Sequence, residues 1–328
     1  MKCLRNIGMS PLETRDDALI DVLYNVKNIA IFQEDIYIGS GEQLIVWDKY
    51  GKFKRVLSKK GNDPQSYLHF NHFMIWPNGD LSIASPIEIV TYSNSHQFIN
   101  KKRCENVGYI EAITLLNDSL YIIKCMPTPE QLRYRIINHH TGAIINSYDS
   151  IINCNRYISS FTNSFERYEG HIISHGYQSN DILECTLDSS KIRYKINVDN
   201  RTPPAGFYTQ EGKEGMQLIQ EEAEKGYIGH IPDYVESKET ILLSFKGKRE
   251  DLNGIALIDK KDGNARVLEN IKFDDNFRWL PKQFFSLDEG WCAMLMYPED
   301  VLKKEEFARR FPGLDEESNP VLFIGKLR

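Results

Sequence analysis

No window of the 328-residue chain holds the roughly 18 consecutive apolar residues that a membrane-crossing helix needs. The first twenty residues, MKCLRNIGMSPLETRDDALI, lack the apolar stretch of a secretory leader. No signal peptide is read in the sequence as it stands, which leaves the cytoplasm open as a location. No basic block stands out either. The formal net charge is −6, so the positive footprint of a nucleic-acid binder is missing and no nucleic-acid partner is expected. Cysteine is sparse and scattered: Cys3, Cys104, Cys125, Cys154, Cys185 and Cys292 show no C-x-x-C pair and no metal-ligand spacing. They read mostly as buried free thiols. The nucleophile elbow G-x-S-x-G, the zinc motif H-E-x-x-H and the phosphate loops G-x-G-x-x-G and G-x-x-x-x-G-K-[ST] are absent. That weighs against an enzyme without ruling one out.

What the chain has is aromatic and apolar residues in short, regularly interrupted runs. Hydrophobic residues are 41% and aromatics 11%, with 17 Tyr and 16 Phe, enough for a β-rich core. Residues 44–57, LIVWDKYGKFKRVL, read as two strands around the turn Asp48-Lys49-Tyr50-Gly51. The same pattern recurs along the chain: strand, tight turn, strand, loop, then a second hairpin. The turns carry Asn78-Gly79, Asn117-Asp118, Thr141-Gly142, Glu169-Gly170 and Asp262-Gly263, residue pairs that tolerate the positive φ of tight hairpins. Isolated hairpins are marginal in water and must join larger sheets. The pattern therefore predicts an all-β, six-bladed β-propeller of four-stranded antiparallel blades. The expected blades are about 29–57, 73–101, 110–148, 165–196, 227–269 and 279–327, read as one domain over 1–328. The last unit has only three strands, so a strand within 2–13 is expected to join the C-terminal blade and close the ring. An open double-layer sandwich is the weaker alternative.

Two stretches depart from the β pattern. Residues 216–225 show partial helical periodicity through Met216, Leu218, Ile219 and Ala223. The segment PEDVLKKEEFARRF at 298–311 has a proline and acids at its start and Arg309 and Arg310 at its end, the signature of a short amphipathic helix. Strand alternation puts the short turns at one end of the blades and the long connections (59–71, 124–133, 149–164, 197–233 and 298–319) at the other. Elaborated loops on a rigid frame are where binding concentrates. The long-loop face, around the mouth of the central channel, is therefore the expected binding face.

On or beside those loops lie Tyr67, His69, His72, Tyr208, Tyr227, His230 and Trp279, the candidate ligand contacts. His171 and His175 share a strand face about 13 Å apart, too far for one metal ion. Glu111, Glu166, Asp233 and Glu236 sit near the starts of first strands, where they would line the channel. Under an alternative reading they would hold Ca²⁺ for metal-assisted hydrolase or lyase chemistry. Otherwise no cofactor and no catalytic residue is expected. The leading expectation is a non-enzymatic propeller that binds a small ligand, a glycan, a peptide or a protein partner; a structural platform of the cell envelope is a third reading.

Several of these segments together resemble the NHL-like six-bladed β-propeller family of gut anaerobes, most of whose members have no assigned activity. Pro11-Leu12-Glu13-Thr14 with Ala18-Leu19-Ile20 resembles its opening. Trp47-Asp48-Lys49-Tyr50-Gly51-Lys52-Phe53 resembles its repeat signature, Gly61-Asn62-Asp63-Pro64-Gln65-Ser66-Tyr67 its G-x-G-P-G-E-Y loop, and Asn319-Pro320-Val321-Leu322-Phe323-Ile324 its ending. The resemblance spans the chain. It implies the propeller fold and an exported, periplasmic or lipid-anchored location, with a leader this sequence lacks, and it implies no reaction.

Overall fold

A computed structural model describes the chain apart from residues 1–2, 21–25, 105–106, 127–131, 151–164, 176–179, 211, 214, 274–277 and 304. Strand β1 (Leu4–Pro11) comes first. The first blade follows as β2 (Val26–Phe32), β3 (Asp35–Ser40), β4 (Gln43–Asp48) and β5 (Phe53–Leu57). The second is β6 (His72–Ile75), β7 (Leu81–Ser85), β8 (Glu88–Tyr92) and β9 (Phe98–Arg103). The third is β10 (Ile110–Leu115), β11 (Leu120–Cys125), β12 (Leu132–Asn138) and β13 (Ile144–Ser150). The fourth is β14 (Glu166–Tyr168), β15 (His171–His175), β16 (Asp181–Cys185) and β17 (Ser190–Lys195). Helix α1 (Gly215–Lys225) precedes the fifth blade, β18 (Tyr234–Glu236), β19 (Thr240–Phe245), β20 (Gly254–Asp259) and β21 (Ala265–Val267). After a small hairpin, β22 (Ile271–Lys272) and β23 (Arg278–Trp279), come β24 (Phe284–Ser286) and β25 (Trp291–Met296). Helices α2 (Pro298–Leu302) and α3 (Glu305–Arg310) separate β25 from β26 (Val321–Leu327).

Each blade is a four-stranded antiparallel meander, and the sixth has the order β1-β26-β25-β24. The molecule is thus a six-bladed β-propeller whose N-terminal strand joins the C-terminal blade. The helix expected over 298–311 forms as two pieces, α2 and α3, with Pro298 at the start of α2 and both arginines in the last turn of α3. The turn glycines adopt the expected positive φ, among them Gly79, Gly142, Gly170 and Gly263. Cys3, Cys125, Cys185 and Cys292 are buried free thiols, and Cys104 is a half-buried one; Cys154 lies outside the described residues.

Contacts group the chain into two compact units. One comprises Met1–Ser58, Asp233–Leu243 and Ile255–Arg328; the other comprises Lys59–Pro232 and Ser244–Gly254. In the first, one apolar cluster is built on Val235, Leu242, Phe284, Met294 and Phe323, and another on Ile29, Ile38, Ile45 and Trp47. Three of the segments that resemble the propeller family, the opening, the repeat signature and the ending, meet here. The Asn319 side chain donates to the carbonyls of Glu13 and Ala18 and accepts from the Ile20 amide, while its backbone N–H donates to Thr14 Oγ1. The Trp47 indole also donates to the Glu13 carbonyl, at 3.2 Å. Gly51, at φ +82°, lies so close to the Pro11 carbonyl that a Cβ could not fit between them. These motifs form one hydrogen-bonded closure of the ring.

In the second unit the clusters centre on Ile89, Ile113 and Tyr121, and on Ile122, Tyr134 and Ile172. A third small cluster, Phe207, Tyr208 and Leu218 with Tyr227 against it, seats α1.

Candidate functional site

Inside the second unit, polar groups gather at the loop-bearing ends of the third and fourth blades. The local cause begins with a β-bulge. In β10 and β11, Ile110 pairs with Cys125 and Ala112 with Lys124, leaving Glu111 as the extra residue. The first blade has the same bulge: Val26 pairs with Ser40 and Asn28 with Gly39, with Lys27 between. The repeat thus puts a glycine where the third blade has Lys124. Lys124 is 1% exposed, and its ammonium donates to the His175 carbonyl at 3.4 Å.

His175 ends β15 and is buried. Its Nδ1 lies 2.7 Å from the Ile231 carbonyl, which can only accept, so Nδ1 carries the proton. Burial, reinforced by Lys124, holds its pKa down to about 4 against the pull of the Ile231 bond, so the ring is neutral at pH 7. His230, next to Ile231, is held down to about 3 by burial and by the positive field of Lys124, Lys248 and Lys246. Glu111 moves the other way. Burial raises its carboxyl to about 7 against the attraction of Lys124 and Arg133. Both Glu111 oxygens are buried without a hydrogen-bond partner among the described residues. The Asn180 amide donates to the Ile228 carbonyl at 3.1 Å, and its Oδ1 is likewise buried and unpartnered.

Residues 228–231 are pinned on several sides, which fixes these positions. Ile228 N–H donates to the Arg201 carbonyl, and the His230 carbonyl accepts from Lys246 N–H. Glu222 of α1 is buried and takes hydrogen bonds from the Gly229 N–H and the Tyr208 hydroxyl. Burial raises the Glu222 pKa, with Lys248 and these two bonds opposing the rise. A Cβ on Gly229 would fall on the Tyr208 hydroxyl. Helix α1 is therefore the brace that sets the His230 side of the site.

The seven candidate contacts fall in three places. Tyr208 and Tyr227 pack edge-on against Phe207, with centroids 5.0 and 5.3 Å away, beside the segment that carries His230. Tyr67 is wholly buried, and its hydroxyl accepts from Lys59 N–H, which folds residues 59–67 into a compact loop. His72 is buried with its pKa lowered to about 4 by burial, whereas His69 is exposed and its N–H donates to Ser85 Oγ. Trp279 belongs to the first unit, packed against Phe273 and Phe323. His171 and His175 have separate environments: His171 is exposed and lies 3.1 Å from Glu184. Of the carboxylates considered for a metal, Glu236 is held by Lys260 and the Tyr234 hydroxyl. Among the described residues, no group of three His, Cys, Asp or Glu is placed to hold a metal ion.

The first unit has a cleft of about 560 Å³ between residues 310–319 and the closure, bordered by Glu13, Tyr50, Lys52, Arg310, Phe311 and Asp315. Its charges are of both signs, and part of its wall is the Asn319 hydrogen-bond network.

A propeller frame with a buried polar cluster at its loop ends defines the class of this molecule. Residues 4–326 match DUF4934, a domain of unknown function, and the chain belongs to that family. No curated protein matches the sequence. Among solved structures, the chain is similar to a Bacteroides fragilis protein thought to be exported, with 13% identity and TM-score 0.79 over 99% of this chain and 96% of the other. It is also similar to a DUF4221 family member from Bacteroides vulgatus, with 10% identity and TM-score 0.57 over 99% and 97% of the two chains. At these identities the likeness is one of fold. No helix among the described residues is long and apolar enough to cross a membrane.

Proposed function

We propose that this DUF4934 chain is a ligand-binding propeller. It takes its ligand at the loop-bearing ends of the third and fourth blades and acts as a binding or interaction module, with no chemical step. The observation that carries the reading is the Lys124–Glu111–His175–His230 cluster. Burying a lysine, an unpartnered carboxyl and the neutral His175, with the half-buried His230 beside them, costs stability. The same bulge in the first blade closes around Gly39, so the frame does not require that chemistry. Buried polar groups with unspent hydrogen-bonding capacity and shifted pKa values, gathered at loop ends, are characteristic of binding sites.

The repeat pattern supports placing the chain among NHL-like propellers. The fold it shares with the exported Bacteroides fragilis protein supports a place in the cell envelope, outside the cytoplasm. The metal-assisted hydrolase or lyase reading has no donor set among the described residues to support it.

The test is a thermal-shift panel of peptides, neutral and charged saccharides and small organic acids, run on wild type and on Lys124→Met. A ligand that stabilises the wild type and not the variant supports the reading. Ligands that stabilise both equally place binding elsewhere and refute it.

A further inference from the structure

We propose that the cleft between the ring closure and residues 310–319 binds a short peptide by its two free ends, the carboxylate on Lys52 and Arg310 and the ammonium on Glu317. This second site lies within the first unit and stands independently of the binding reading above.

The first argument is an open, pre-formed space. The cleft holds about 560 Å³, within the range of small-ligand sites and more than a single amino acid fills. Among its lining residues Leu12 and Phe311 are buried, Leu314 is half-buried and Tyr50 is 72% exposed. Both walls are hydrogen-bonded within themselves. On one side, Glu13 N–H donates to the Gly51 carbonyl, and the Tyr50 and Lys52 amides donate to Asp48 Oδ1. On the other, Asp315 N–H donates to Ser318 Oγ and Glu317 N–H to Asp315 Oδ1. Asn319 ties the two walls together through Thr14 and Glu13. Walls braced in this way need little further ordering when a ligand enters.

The second argument is which groups remain to meet that ligand. These amides are already engaged, so recognition falls to side chains rather than to a strand-like ladder. Two of the three acids are tied to the fold. Glu13 Oε2 accepts from Phe53 N–H, and Asp315 Oδ1 accepts from Ser318 Oγ as well as Glu317 N–H. Glu317 is exposed, and its carboxylate has no partner among the described residues. The Lys52 side chain is 74% exposed, with Glu13 Oε2 3.8 Å away, beyond hydrogen-bonding reach. Arg310 is exposed too. A ligand of one charge gains at one sign and is repelled by the other. A peptide with free ends matches both, and its side chains can rest on Phe311 and Leu314.

Titration calorimetry tests this with tripeptides of alanine around leucine, phenylalanine or proline. Each is used free, N-acetylated and C-amidated, with leucine alone as a further probe. The proteins are wild type, Glu317→Gln, the combined Lys52→Gln and Arg310→Gln variant, and Lys124→Met. The three cleft substitutions are at exposed positions, and unchanged circular dichroism spectra verify the fold. A free tripeptide should bind, with acetylation and amidation each weakening it by about threefold or more. The effect of acetylation should vanish in Glu317→Gln and that of amidation in the Lys52 and Arg310 variant, while Lys124→Met binds as wild type does. Three forms held alike, cleft variants that bind as wild type does, leucine held as tightly as the tripeptides, or no binding at all would overturn the proposal. A tripeptide lost by Lys124→Met and kept by the cleft variants would also overturn it, and would support the site at the third and fourth blades. One lost only by the cleft variants supports this site and leaves the other to be judged on other ligands.

Discussion

Asn319 donates from Nδ2 to the carbonyl of Ala18 at 2.9 Å, across 301 residues of chain. The same side chain holds Glu13 and Ile20, so one amide joins the segment after β1 to the segment before β26. Asn319→Ala removes three hydrogen bonds and strands buried backbone groups. A loss of about 3 kcal/mol is expected, read as a lower urea midpoint with an unchanged slope. A loss below about 1 kcal/mol would mean the closure does not depend on this residue.

Glu111 gives a pH signature. Its carboxyl sits at about 7 in the folded chain against an ordinary 4.5. Between those values the folded state binds more protons than the unfolded state, so stability falls as pH rises through the window. Above pH 7 the cost is in full force, about 3 kcal/mol. Glu111→Gln should therefore match wild type near pH 4 and exceed it at pH 8, by denaturant titration at both values. A difference that does not change with pH would show that Glu111 ionises normally.

Two buried histidines, His72 and His175, and the half-buried His230 act in the opposite direction. His72 and His175 are held near 4 and His230 near 3, each against 6.5. The unfolded chain takes up protons first as pH falls below 6.5, so folding stability declines from there down to about pH 4. At pH 5 each contributes a loss of about 2 kcal/mol. His175→Asn should lose less than wild type between pH 7 and pH 5, and equal losses would contradict a neutral buried His175.

Gly229 and Tyr208 should be coupled. Gly229→Ala alone puts a methyl on the Tyr208 hydroxyl and should cost about 2 kcal/mol. Tyr208→Phe clears that space while depriving Glu222 of a donor. The double variant should recover about 1 kcal/mol relative to the sum of the singles in a double-mutant cycle. Strict additivity would place the brace elsewhere.

The blades were readable because each rests on local rules: alternating apolar residues and turn pairs such as Asn78-Gly79 and Asp262-Gly263. The need for a strand from the N terminus followed from counting three strands in the last unit. The single helix expected over 298–311 forms as two, α2 ending at Leu302 and α3 starting at Glu305, a detail that periodicity over so short a stretch does not resolve. Sequence reading of the site gathered aromatics and histidines near loops, and it could not tell which loops fold back on themselves. Tyr67 is consumed by such a fold, whereas Tyr208 and Tyr227 both pack on Phe207, beside the segment that carries His230. Glu111 was visible as an acidic residue at a strand start. Lys124 was missed, although its signal is present: a lysine ending the apolar run Leu-Tyr-Ile-Ile, where the corresponding strand of the first blade has Gly39.

The earliest of the propeller's strands in the chain pairs with the latest. β1 finds its neighbour only when residues 321–327 have left the ribosome, so the nascent chain carries an unmatched edge through nearly the whole of its translation. Loss of those seven residues would also cost more than their own contacts: it would leave β1 without a partner and β25, still paired with β24, with a bare edge open to other chains.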